Sequence, residues 1–137
     1  MVAVSNFHSA FSLAFREFFG YETELGWEIY ELSSDSSSNE KWATFTIRNP
    51  LAGRALVFRY SETESRFYAH LKIQVIPGEE NWDLDVLFLT KGYTTKNSVD
   101  ILNSSGEWTF HSVALHYFGI ILSFCPRIME PDFIVNQ

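Results

Sequence analysis

The chain has 137 residues, 46% of them hydrophobic, including thirteen Phe, six Tyr and four Trp. That much apolar surface fills one core, so a single domain over residues 1–137 is expected and disorder throughout is excluded. The formal net charge of −7 disfavours nonspecific nucleic-acid binding, which needs a basic footprint, and the single cysteine, Cys125, excludes an internal disulfide and suits a reducing cytosol.

The first element is an amphipathic helix. Phe7, Phe11, Ala14, Phe15 and Phe18 recur at helical spacing and form one apolar stripe. Ser5 or Asn6 is placed to cap its start and Gly20 to end it. The segment before Arg16 has no basic region, and Ser5, Asn6, His8, Ser9 and Ser12 interrupt its apolar run. It does not read as a secretory signal, and a cytoplasmic protein is expected.

Residues 17–40 come next and carry the whole charge imbalance. They hold Glu17, Glu22, Glu24, Glu28, Glu31, Asp35 and Glu40 and no Lys or Arg, while the remaining ten acidic residues face all ten cations. Phe18, Phe19, Tyr21, Trp27 and Tyr30 are interleaved with these carboxylates. Seven like charges repel one another, and rings ringed by polar groups are the usual composition of a binding hot spot. A strand over 26–32 is expected here, followed by a flexible serine loop over 33–39.

Four further strands are expected over 42–49, 55–61, 66–76 and 82–90. Parity tests their register, because a one-residue slip would turn the apolar set outward. Across the Pro50–Gly53 loop, Ile47 faces Leu56, Phe45 faces Phe58 and Ala43 faces Tyr60. Across the loop at 61–66, Tyr60 faces Phe67, Phe58 faces Ala69 and Leu56 faces Leu71. Around Pro77-Gly78, the expected pairs are Val75 with Trp82, Ile73 with Leu84 and Leu71 with Val86, leaving Gln74 by Asp83 and Lys72 by Asp85. The fold expected is α+β: a five-stranded antiparallel meander, with an N-terminal and a C-terminal helix packed on one face.

The last helix is expected to begin near Ser104, whose spacing to Glu107 is that of a capping box, and to end at Pro126. Trp108, Leu115, Phe118, Leu122 and Cys125 share a stripe that Phe110, Val113, Tyr117, Ile121 and Phe124 extend most of the way round. Such a helix is buried against the sheet, with a homodimer as a second way of covering it. It is too short and too interrupted by polar residues to be read as membrane-spanning. A polar loop is expected over 92–103, and the tail from Pro131 adds an edge strand or lies along the surface.

No GxSxG, HExxH, phosphate loop or dinucleotide fingerprint is present. One cysteine excludes a CxxC metal pair, and His111 and His116, five residues apart, do not share a helix face. No catalytic residue, metal or cofactor is expected. The polar sheet face would present Trp42, Thr44, Thr46, Arg48, Arg59, Tyr68, His70 and Lys72. Rings beside cations on an open sheet can stack single-stranded nucleic acid, a use that the net charge opposes.

A small acidic α+β domain with no catalytic signature and a concentrated carboxylate surface resembles the immunity proteins of bacterial toxin systems, of the contact-dependent growth inhibition and polymorphic toxin type. That resemblance implies a non-enzymatic inhibitor in one-to-one complex with a cognate, basic toxin domain, such as a nuclease, whose active site it occludes. It implies no residue-level site. The candidate partner-binding residues are this sequence's own: Glu22, Glu24, Trp27, Glu28, Tyr30, Glu31, Asp35 and Glu40. Two other readings remain open. One is an acidic type III secretion chaperone, a class that usually has a helix between its strands. The other is a small-ligand-binding or enzymatic domain using the cavity between sheet and helices, with His70 as its base.

Overall fold

Two periodicities divide the chain, period 2 through its centre and a helical period at its ends, and each builds the element it specifies. A computed structural model describes residues 2–20, 26–36, 41–64, 66–75, 78–95, 109–133 and 135, with the backbone alone at 2–5, 31–33, 35 and 36. The elements are α1 (Val2–Phe19), β1 (Glu28–Ser36), β2 (Lys41–Asn49), β3 (Arg54–Ser61), β4 (Arg66–Val75), β5 (Gly78–Asp83), α2 (Leu84–Thr90) and α3 (Phe110–Phe124). The strands form one antiparallel sheet in the order β1-β2-β3-β4-β5. The architecture is α+β.

The two central hairpins have the expected register. Phe45 pairs with Phe58 and Ile47 with Leu56, while Leu56 pairs with Leu71 and Tyr60 with Phe67. Those residues share one face, and the helices cover it. The Phe11 ring of α1 lies 5.7 Å from Phe45, 5.3 Å from Phe58 and 6.0 Å from Phe118 of α3. Each fully buried ring contributes on the order of 1.5–3 kcal/mol, so this aromatic layer dominates the core. Gly20, at φ +82°, donates its N–H to Arg16 O at 2.8 Å and closes α1 as expected.

The third hairpin differs from expectation. His70 pairs with Asp83, Leu71 with Trp82 and Val75 with Gly78, so β5 is short and its register lies four residues away from the expected one. Residues 84–90, expected as strand, are helix. Leu84, Leu87 and Phe88 are its buried residues, at the i, i+3, i+4 spacing of one helix face. The Asp83 carboxylate caps it by accepting from Val86 N at 3.0 Å. At the other end, Tyr93 N donates to Phe88 O at 2.8 Å and Gly92 N to Leu89 O at 3.1 Å. This is a Schellman closure around Gly92 at φ +77°.

β1 also departs from the reading. It continues through Ser36, with Ser33 opposite Thr44 and Ser36 opposite Lys41, because β2 satisfies its backbone where serine-rich composition suggested a loop. A bulge lies between Ile29 and Glu31.

α3 begins at Phe110, with Thr109 as its cap accepting from Ser112 N at 3.1 Å. The expected capping box at Ser104 and Glu107 lies outside the described residues. The helix ends before Pro126 as expected. Leu122 and Phe124 are exposed, so its apolar girdle is not covered all round. Among the described residues no helix is long and apolar enough to cross a membrane. The tail is not a strand where described. Asn49 Nδ2 donates to Met129 O at 3.1 Å, and Arg54 donates to Ile128 O at 3.0 Å and Phe133 O at 3.0 Å.

Candidate functional site: the open face of the sheet

Side chains alternate along a strand, so the residues between the core positions of β2, β3 and β4 point away from the helices. Among the described residues no helix covers that second face. It carries Trp42, Thr44, Thr46 and Arg48 from β2, Ala55, Val57 and Arg59 from β3, and Tyr68, His70 and Lys72 from β4, the side expected to be polar.

Cations and rings are stacked in pairs across it. Arg48 lies 4.0 Å over Tyr30, Arg59 lies 4.2 Å over Trp42 and Arg66 lies 4.9 Å over Tyr68. Trp42 and Tyr68 are themselves 5.5 Å apart. Guanidinium–ring stacking fixes long side chains in place and contributes about 0.5–1 kcal/mol at exposed sites. Arg48 also donates to Glu28 Oε1 at 2.6 Å, and the Tyr68 hydroxyl donates to Glu64 at 2.6 Å. Burial holds His70 below the usual imidazole range; Lys72 and Arg59 push the same way, and Asp83 opposes them.

The bulge decides what β1 brings to this face. Glu28 stands opposite Arg48, whereas beyond the bulge Glu31 stands opposite Thr46 and Asp35 opposite Trp42. Strict alternation would put Glu28 and Glu31 on opposite sides. The extra residue instead gives both the register positions of the open face. Tyr30, the bulged residue, is 57% exposed.

The candidate partner-binding residues therefore separate. Glu28 and Tyr30 lie together beside Arg48. Glu31 and Asp35 occupy open-face positions by backbone register. Trp27 is only 4% exposed and packs 5.0 Å from Phe19, so it belongs to the core and presents no contact surface. Glu22, Glu24 and Glu40 lie outside the described residues.

Other candidates resolve into structural roles. Asp83 and Asp85, expected on one strand face beside Gln74 and Lys72, are instead the cap and first turn of α2. Asp85 accepts from the Tyr117 hydroxyl. His111 lies 3.5 Å from Glu17. Burial lowers the pKa of His116, which favours the neutral ring. Among the described residues no cluster of His, Cys, Asp or Glu could hold a metal ion.

A depression of about 600 Å³ lies within the open face, lined among others by Thr44, Thr46, Arg48, Arg59, Lys72 and Glu79. The ligand-binding alternative calls for a cavity between sheet and helices; this one is on the opposite side, the face that carries His70. Its floor is low because Thr46, Ala55 and Val57 are small and stand in adjacent cross-strand rows. Comparison with protein-family models, curated proteins and solved structures finds no match to this chain.

Proposed function

We propose that this chain is a non-catalytic protein-binding domain of the immunity type, cytoplasmic in location. It neutralises a basic toxin domain by docking the β1 margin of its open sheet face over the toxin's active site. The observation that carries this reading is the Glu28–Arg48–Tyr30 cluster. An exposed ring is held under a guanidinium, which is itself ion-paired, at the margin of an uncovered sheet and within the segment bearing the entire net charge. Tyr and Arg anchors with a polar surround are the residue types that dominate interface energetics. The localised negative charge supplies steering toward a basic partner. The unbroken meander from β1 to β5 favours this reading over the secretion-chaperone one, which calls for a helix between strands.

The test is binding to the toxin domain encoded beside this chain. A one-to-one complex is expected, weakening with added salt and losing roughly tenfold or more in affinity on Glu28→Lys with Tyr30→Ala. Affinity that ignores both salt and those substitutions would rule out the β1 margin as the contact.

A further inference from the structure

The chain is acidic, yet the depression on its open face is cationic. Arg48, Arg54, Arg59 and Lys72 line it, and Glu79 is the one carboxylate among its described lining residues. These cations differ in how far they are already neutralised. Arg54 is committed to the carbonyls of the tail, and Arg48 to Glu28 at 2.6 Å. Among the described residues, Lys72 has a single ion-pair contact, a long one of 3.9 Å with Glu79. Arg59 lies over Trp42, 4.2 Å from its ring centroid, with its Nε 3.4 Å from Thr44 Oγ1, and has no ion pair with a described carboxylate.

Register sets the spacing. Arg59 shares a cross-strand row with Thr44, while Arg48 and Lys72 share the row through Ala55. Positions 55 and 59 are four residues apart on β3, so the two cationic walls stand roughly 13 Å apart at the backbone. Thr46, Val57 and His70 form the row between them. The volume falls in the range of small-molecule sites. A stacked guanidinium presents a preorganised fork to a phosphate or carboxylate, and the threonine hydroxyls add neutral donors.

We propose that this depression is a receptor for a small polyvalent oxyanion, long enough to engage Arg59 at one wall and Lys72 with Arg48 at the other. Charge complementarity selects the occupant: away from the β1 margin, where Glu28 is held by Arg48, the two incompletely neutralised cations line the depression and attract an anion there. The site does not depend on the partner reading, since it is assayed on the isolated chain.

Calorimetric titration with tripolyphosphate tests it, with orthophosphate, citrate and a short single-stranded oligonucleotide as further probes at fixed ionic strength. Tripolyphosphate should bind saturably, and orthophosphate, which reaches one wall only, about tenfold more weakly. Arg59→Gln and Lys72→Gln should each weaken tripolyphosphate about tenfold, while Arg16→Gln on α1 leaves it unchanged; unaltered circular dichroism and melting establish that the variants fold. Citrate binding better than tripolyphosphate, with the same dependence on Arg59 and Lys72, would support the receptor and assign it to carboxylates. Absence of saturation with any small anion, or wild-type affinity in both Gln variants, would overturn the proposal. So would an oligonucleotide that binds far more tightly than tripolyphosphate, because the face would then be a nucleic-acid platform.

Discussion

The Tyr117 hydroxyl donates to both carboxylate oxygens of Asp85, at 3.1 Å and 3.3 Å, and joins α3 to α2. Burial pushes the Asp85 pKa up to about 6; the Tyr117 bond opposes it, Asp83 adds to it and Arg66 opposes it. Between about pH 4 and 6 the folded state therefore binds a proton that the unfolded chain has released. The stability this group contributes is present at low pH and is lost as pH rises through about 6. Asp85→Asn keeps an acceptor for Tyr117 and removes the ionisation. Its stability relative to wild type should be greater at pH 7 than at pH 4, by up to about 3 kcal/mol. Urea melts of both proteins at the two pH values measure this directly, since His70 and His116 titrate alike in each. A difference independent of pH would contradict the assignment.

Trp27 and Tyr30 are three residues apart in the acidic segment but have opposite roles. Trp27→Ala empties a core position and should cost about 3–5 kcal/mol. Tyr30→Ala, which removes an exposed ring and its stack with Arg48, should cost less than about 1 kcal/mol. Equal losses in chemical denaturation would show that Tyr30 is structural and not a presented surface.

Asn49 holds the tail at one carbonyl and Arg54 at three. Arg54 is mostly buried and donates to Ile128 O, Phe133 O and, at 3.4 Å, Pro131 O. Arg54→Ala strands those carbonyls and should destabilise the fold by about 2–4 kcal/mol. Tryptic cleavage after the exposed Arg127 should accelerate at the same time. Lysine at 54 should restore only part of the protection, because a point ammonium does not reproduce the fork. Unchanged proteolysis in the Ala variant would mean that other contacts hold the tail.

Cys125 is 2% exposed, and burial pushes its thiol up to about 12, with Lys91 opposing. A thiol so protonated is a poor nucleophile at neutral pH. The native protein should therefore resist a disulfide exchange reagent at pH 8 and react fully in denaturant. Rapid native labelling would show that the end of α3 opens readily.

Much of the sheet was legible because period-2 alternation over three adjacent strands allows a single register. Shifting β2, β3 or β4 by one residue would turn Phe45, Phe58 or Leu71, respectively, to the open face. The stretch LDVLFLT was misread as strand because its apolar residues satisfy both periods. The deciding signals flank it: Asp83 as a cap and Gly92 as a left-handed terminator. The open-face residues from Trp42 to Lys72 were also identifiable by parity. The division of the acidic segment was legible in part: alternation separates Trp27 and Ile29 from Glu28 and Tyr30, as found, but it puts Glu31 with Trp27, because a bulge is a property of the strand pair and leaves no mark on composition.

The sequence by itself determined the α+β class, the antiparallel order, the core face and the location of the net charge, since each depends on local period or on counting. Tertiary structure alone decided that Trp27 is core while Tyr30 is surface, and that Glu28, Glu31 and Asp35 take one side of the sheet by register. It also decided that Arg54 is committed to the tail while Arg59 lacks a carboxylate partner among the described residues. Those outcomes depend on which groups meet across strands and segments distant in the chain. Pairing, not residue type, determines how much charge a side chain has left to offer a ligand.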